Sequence, residues 1–223
     1  MSMFWPALSG PSADRERLAG MAVQAGVYRG VPAAERVAER RARLLEATLA
    51  VWADPTVSTT MTRICAEAGL SERYFYESFR NLDEALTALL DAIAAEIDER
   101  ATAAADASGD DPAGRVLASV RAFVELLVED PRKGRVAIIE AGAIPALRHR
   151  RTELLHHFAQ RATEETRVLW GERRGSDHED EIGGILFIGG MAELITRWLS
   201  GTLDATPDQI VDAASRSFLG FYR

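Results

Sequence analysis

The sequence predicts an all-α fold of about nine helices, and three features point to it. Ala, Leu, Glu and Arg, residues that lose little freedom on entering a helix, are abundant. Apolar residues recur at spacings of three and four along most of the chain, which marks one buried helical face. Alternating runs of Val, Ile, Thr and Tyr, which a half-buried strand needs, are scarce. With 223 residues, 47% hydrophobic and 27% charged, the chain is long enough to bury a sizeable core.

Residues 1–32 hold Pro6, Pro11 and Pro32 among four glycines and read as an N-terminal arm with a short helix near Ala13–Gln24. A first helix is expected over Ala33–Ala53, with Val37, Leu44, Leu45, Thr48, Leu49 and Trp52 on one stripe. Asp54-Pro55 ends it, because the residue before proline is pushed out of the helical region. A short second helix follows near Thr60–Ala68, then a turn at Gly69-Leu70-Ser71, then a third helix over Glu72–Phe79. The fourth begins at Leu82 and carries Leu86, Leu89, Ile93 and Ile97. It fades before Gly109-Asp110-Asp111-Pro112. Five more helices are expected, near 112–129, 131–141, 144–172, 178–200 and 207–221. Pro112, Pro131 and Pro207 stand in first turns, where a missing N–H removes no helical hydrogen bond.

The net charge of −8 argues at first against a nucleic-acid partner, but its distribution matters more than its sum. From Arg29 to Arg80 there are eight Arg and seven acids, whereas Asn81 to Arg223 carries 16 basic residues and 25 acids. A single cysteine, Cys65, excludes a disulfide within the chain and fits a reducing, cytoplasmic setting. The opening MSMFWPALSG lacks the cationic head of a signal peptide. No uninterrupted apolar stretch of about 18 residues is found, so no transmembrane helix and no membrane partner are expected.

The segment Thr59–Phe79 carries the functional reading. Thr60, or Thr59, is placed to cap the second helix by accepting from its free N–H groups. Ala66 is small where two helices are expected to cross. Gly69 follows the second helix, where a left-handed backbone is commonly required. Leu70 plugs the turn into the core, and Ser71 is placed to cap the third helix. Ile64, Leu70, Phe75 and Phe79 hold the pair rigid, which leaves Arg73, Tyr74 and Ser78 facing outward toward a DNA major groove. Any short helix pair joined by glycine has this outline; caps, small residue, glycine, plug and exposed Arg and Tyr in register distinguish it.

From about Glu35 to Ile93 the chain resembles the TetR (tetracycline-repressor) family of transcriptional regulators. The resemblance lies in the Arg-rich first helix, the Thr-x-x-x-Ile-Cys-x-x-Ala-Gly-Leu-Ser core, the Phe-Tyr-x-x-Phe end of the third helix and the Leu-rich fourth helix. It implies a helix-turn-helix DNA-binding domain over 33–81 and a helical ligand-binding and dimerisation domain over 82–223. It also implies a homodimer formed through the last two helices, a double-stranded DNA operator and a small-molecule effector. Tyr76 falls on the family's phosphate-contacting tyrosine. Ser71, Arg73 and Tyr74 fall on positions that meet bases or backbone, and Thr60 on the capping threonine whose helix start faces a phosphate. The family usually carries a lysine at the position of Leu82, so one phosphate contact is missing here and Arg80 is the nearest replacement. Thr62 and Arg41 join the expected DNA-contacting set, with Arg36, Arg40 and Arg43 of the same helix as further phosphate candidates. Arg29 in the arm is placed to enter a minor groove. Glu35, Glu39 and Glu46 make a solvated helix face the competing reading of the first-helix arginines. Glu72 and Glu77 beside the groove weaken the electrostatic grip.

Beyond residue 82, Phe123, Leu127, Ile139, Phe158 and Phe187 are the candidates for an effector pocket, with plain core as the alternative. Gly183, Gly184, Gly189 and Gly190 within one helix cost about 1 kcal/mol each relative to Ala, which close approach of another helix would offset. Gly183, Phe187, Gly190 and Phe218 are therefore the expected dimer contacts, with room for a ligand or for a neighbouring helix of the same chain as the alternative reading of the glycines. His149, Glu153 and His157 share a helical face, but Arg148, Arg150 and Arg151 repel a cation, so no metal and no cofactor is expected. No nucleophile elbow, phosphate loop or zinc-protease motif is present, and no catalysis is expected. The competing function is a helical small-molecule carrier or enzyme whose N-terminal helix pair is structural only.

Overall fold

The computed structural model describes residues 32–170 and 177–221. The expected arm, with Arg29 and the short helix near Ala13–Gln24, lies outside the described residues. Among the described residues there is no strand, and the helices follow the expected order. They are α1 (Ala33–Ala53), α2 (Met61–Ala68), α3 (Glu72–Ser78), α4 (Leu82–Ala107) and α5 (Pro112–Glu129). Next come α6 (Pro131–Gly134), a π-helical turn (Arg135–Glu140), α7 (Ala141–Ala143) and a 3-10 turn (Pro145–Leu147). The last three are α8 (Arg148–Trp170), α9 (Asp177–Leu199) and α10 (Pro207–Phe221).

The chain divides into two compact units between Arg40 and Arg41, a division that falls within α1. Of the first unit, Pro32 and the opening turns of α1 are described, with Arg36 N–H donating to the Pro32 carbonyl at 3.2 Å. Val37, expected on the apolar stripe, is 46% exposed there. Packing in the second unit falls into three clusters. Leu44, Ala47, Ile64, Phe75 and Phe79 join α1, α2 and α3. Trp52, Leu86, Leu90, Ile93 and Val136 join the end of α1 to α4 and the π turn. Val124, Leu127, Ile195, Ile210 and Phe218 join α5, α9 and α10. Leu82 packs against the first two clusters, which explains an apolar residue at the opening of α4.

Local chemistry sets where helices begin. Asn81 caps α4, its side chain accepting from Glu84 N–H at 2.9 Å. Asp111 caps α5 by accepting from Gly114 N–H at 2.9 Å. Thr206 and Gln209 form a reciprocal box at the start of α10, with bonds of 3.2 Å and 2.8 Å.

One expectation needs correction. The single helix expected over 131–141 is interrupted by the π turn, whose wider hydrogen-bonding loop shifts the side-chain register. In addition, His178–Leu199 is long and apolar enough to cross a membrane by length and composition. Between Ile182 and Leu199 only Glu193 and Arg197 are charged, and the glycines hide this apolar character from a simple run count. Only 28% of its apolar 18-residue window is buried.

Candidate functional site

The α2–turn–α3 unit is built from caps inward. Thr60, extended at φ −136°, accepts from Arg63 N–H at 3.3 Å and so occupies one of the free donors at the start of α2. Gly69 closes α2 in the left-handed conformation, φ 61° and ψ 35°. There Gly69 N–H donates to the Ala66 carbonyl at 3.1 Å and Leu70 N–H to the Cys65 carbonyl at 3.0 Å. Leu70 then packs, partly buried, against the α1–α3 cluster. Ser71 sits at the cap position of α3, but its side chain makes no capping hydrogen bond; its carbonyl accepts from Tyr74 and Phe75 N–H instead. Ala66 is exposed rather than at a helix crossing, and the buried small residues of α2 are Cys65 and Ala68. Burial pushes the Cys65 thiol above its ordinary pKa, with the Glu72 charge adding to the effect.

Phe75 and Phe79 are fully buried, with ring centroids 5.5 Å apart, and fix the inner face of α3. That leaves Ser71, Arg73, Tyr74 and Tyr76 on the outside, the two tyrosines 36% and 57% exposed. Arg73 Nε lies 3.1 Å from Glu77 Oε1, one turn along the same helix. Thr62 is exposed on α2, its hydroxyl 3.4 Å from Glu72 Oε1. Arg80 donates to Glu84 through both its backbone N–H, at 2.7 Å, and its Nε, at 2.9 Å. These bonds hold the Glu84 carboxyl below its ordinary pKa.

Arg41 and Arg43 occupy places that spacing alone does not reveal. Arg41 donates to the Ser78 carbonyl at 2.7 Å and lies over the Phe79 ring, 4.4 Å from its centroid. Arg43 donates to the Ala68 carbonyl. Neither α2 nor α3 has a basic residue in its own last turn, so α1 supplies the cation that each helix C-terminus favours.

A second feature lies among α4, α5, the π turn, α8, α9 and α10: a cavity of about 400 Å³. Ile93, Ile97, Phe123, Phe158, Phe187 and Met191 form much of its wall. Of the expected pocket residues, Phe123, Phe158 and Phe187 line it, but Leu127 and Ile139 do not. Leu127 is buried in the α5–α9–α10 core, where close packing against Gly134 claims it. Ile138, its neighbour, lines the cavity in place of Ile139, on the π turn whose register α-helical counting misplaces. The polar residues Asp98, Asp106, Arg115, Arg151 and Arg161 were not among the expected lining. Arg151 stands three, four and seven residues before Leu154, Leu155 and Phe158, so helical spacing held the signal that places it on this face.

The expected dimer contacts separate. Phe187 and Phe218 face each other inside the chain, ring centroids 5.0 Å apart at 75°, Phe218 buried in the core and Phe187 partly buried against it. Gly183 is buried, and Gly190 is exposed with open space around it. The apolar residues of α9 that reach the surface are Ile182, Ile185 and Leu186, 45%, 45% and 56% exposed. His149 pairs with Glu153 at 3.1 Å, and His157 pairs with Asp98. Among the described residues no group of three or more metal-ligating side chains comes together.

No family model matches the sequence, and no curated protein matches it. Solved structures do. A fatty acid degradation regulator, FadR, from Bacillus halodurans is similar with a TM-score of 0.70 at 16% identity, over 81% of this chain and 95% of that one. FadR from Bacillus subtilis, solved in complex with stearoyl-CoA, is similar with a TM-score of 0.66 at 16% identity, over 81% and 97%. A TetR-like transcriptional regulator from Rhodococcus sp. RHA1 is similar with a TM-score of 0.62 at 17% identity, over 81% and 93%. The all-α fold expected from the sequence is thus the fold of TetR-family transcriptional regulators.

Proposed function

We propose that the protein is a homodimeric, sequence-specific DNA-binding regulator whose grip on its operator responds to a small molecule held in the α4–α10 cavity. The observation that carries this reading is the α2–α3 pair. A side-chain cap, a left-handed glycine turn and two buried phenylalanines hold an exposed Arg73, Tyr74 and Tyr76 on one short helix. Tyr76, Thr60, Thr62 and Arg80 are assigned to phosphate and backbone contact, Ser71, Arg73 and Tyr74 to the groove. Arg73 would exchange Glu77 for DNA, a small loss because the pair is solvent-exposed.

The exposed apolar residues of α9 support the second copy: Ile182, Ile185 and Leu186 need cover, and open Gly190 lets another helix come close. Two copies would place their recognition helices roughly 34 Å apart, one turn of DNA. The Bacillus subtilis neighbour with stearoyl-CoA supports a ligand-responsive reading of the cavity. Coupling between such a ligand and DNA typically amounts to about 1–3 kcal/mol. Release of a repressor is the form of regulation proposed.

Tyr76→Phe and Arg73→Ala test the site. Each is expected to weaken retention of a selected DNA fragment by several-fold to about ten-fold, with the thermal midpoint unchanged. Undiminished retention by both variants would reject the assignment. Salt-insensitive binding of a small molecule with no DNA retained at all would favour a carrier instead.

A further inference from the structure

The cavity is apolar in its body but not neutral in its wall. Five charged side chains line it, and they balance unevenly. Arg115 pairs with Asp106 at 3.1 Å. Asp98 pairs with His157 and lies 3.9 Å from Arg161, whose guanidinium also donates to Thr102 Oγ1 at 3.1 Å. Arg151 is left over. Its Nε is buried with no hydrogen-bond partner, and no ion pair joins its guanidinium to any carboxylate among the described residues. Gly142 borders it: a Cβ there would stand 3.6 Å from Arg151 Nε. The two Asp and three Arg of the lining therefore leave one positive charge in excess, and the excess sits on Arg151.

A guanidinium whose Nε is buried without a partner, in a mostly apolar cavity wall, is costly, and a ligand carboxylate is the group that relieves the cost. Arginine meets a carboxylate through two parallel hydrogen bonds, which fixes orientation as well as charge. We infer that the cavity takes a monoanionic amphipathic molecule, its acid group on Arg151 and its hydrocarbon body along Ile93, Ile97, Phe123, Phe158 and Phe187. The volume of about 400 Å³ suits a small molecule, since such sites run from roughly 300 to 1,000 Å³. This assignment rests on the reading of the cavity as the effector site and names the chemistry that site selects.

The test is calorimetric titration of the full chain with decanoate, decanol and decylamine, three probes of one hydrocarbon body and different charge. Decanoate is expected to bind about ten- to a hundred-fold more tightly than decanol, the range of a charge-assisted hydrogen bond, and decylamine more weakly than either. Arg151→Gln is expected to erase the preference for decanoate while leaving decanol affinity unchanged, and Arg151→Lys to keep part of it. Since Arg151 has no acidic partner among the described residues, Arg151→Gln is expected to keep or raise the thermal midpoint. If it fails to fold, the charge preference of the unaltered protein and of Arg151→Lys decides. Equal binding of decanoate and decanol, an undiminished preference in Arg151→Gln, or no decanoate binding would overturn the assignment. DNA retention is measured separately. Decanoate that binds with the expected preference but leaves retention unchanged upholds the ligand class and rejects the regulatory reading instead.

Discussion

Arg41 and Arg43 stand two residues apart on α1, yet each ends on a different helix of the α2–α3 pair. Their guanidinium groups bond carbonyls that the helices themselves leave open, and Arg41 gains the Phe79 face as well. Arg41→Ala and Arg43→Ala are each expected to lower stability by about 1 kcal/mol in urea unfolding without DNA, because a charge-assisted bond to a helix end is lost. Unchanged stability in both would return these arginines to the solvated face or to DNA contact alone. The sequence marks them as basic residues on a helix near a DNA-binding motif, which is as far as spacing reaches. Their partners are backbone carbonyls, which carry no sequence signal. Arg151 was harder to see because it lies in a basic run, Arg148 to Arg151, that reads as a solvated helix start. Only the side chains facing it show that Arg150 reaches Asp91 while Arg151 reaches no acid among the described residues.

Helix starts and ends were legible where a cap and a periodic apolar stripe agreed, as at Thr60, Gly69 and Pro112. They were less so where one helix type passes into another. The run from Pro131 to Leu147 changes from α to π to α to 3-10, and each change rotates the face that counting by three and four assigns. Ile138 and Ile139 trade places on that account. The glycines of α9 divide by environment, where sequence alone leaves a second copy, a ligand and a neighbouring helix of the same chain all open. A Cβ at Gly184 would meet the Ala159 carbonyl oxygen of α8 at 2.8 Å and Thr163 Oγ1 at 2.9 Å. At Gly189 and Gly190 it would meet nothing within 4 Å. Gly184→Ala is therefore expected to destabilise by about 1–3 kcal/mol despite the better helix propensity of alanine, because a backbone oxygen cannot move aside. A thermal midpoint equal to or above that of the unaltered protein would show that α8 and α9 do not approach this closely.

Across the whole molecule the acid lies mainly beyond Arg80, and the α2–α3 surface mixes Arg63 and Arg73 with Glu67, Glu72 and Glu77. Such a surface gives one copy a modest hold on phosphates, so the proposed function depends on two copies reading two half-sites. In the proposed function, the exposed apolar residues of α9 would give a second copy its cover, and a ligand in the cavity beside them would change the spacing between the two. Fold class and the α2–α3 motif were readable because they are local. The exposed apolar face of α9 and the charge balance of the cavity were not, because they depend on which side chains of distant helices meet. The central claim is tested most directly by selecting bound fragments from genomic or random DNA. The account predicts enrichment of an inverted repeat with half-sites about one helical turn apart, occupied by two chains and lost together on Tyr76→Phe. No enriched sequence, or a single half-site held by one chain, would contradict it.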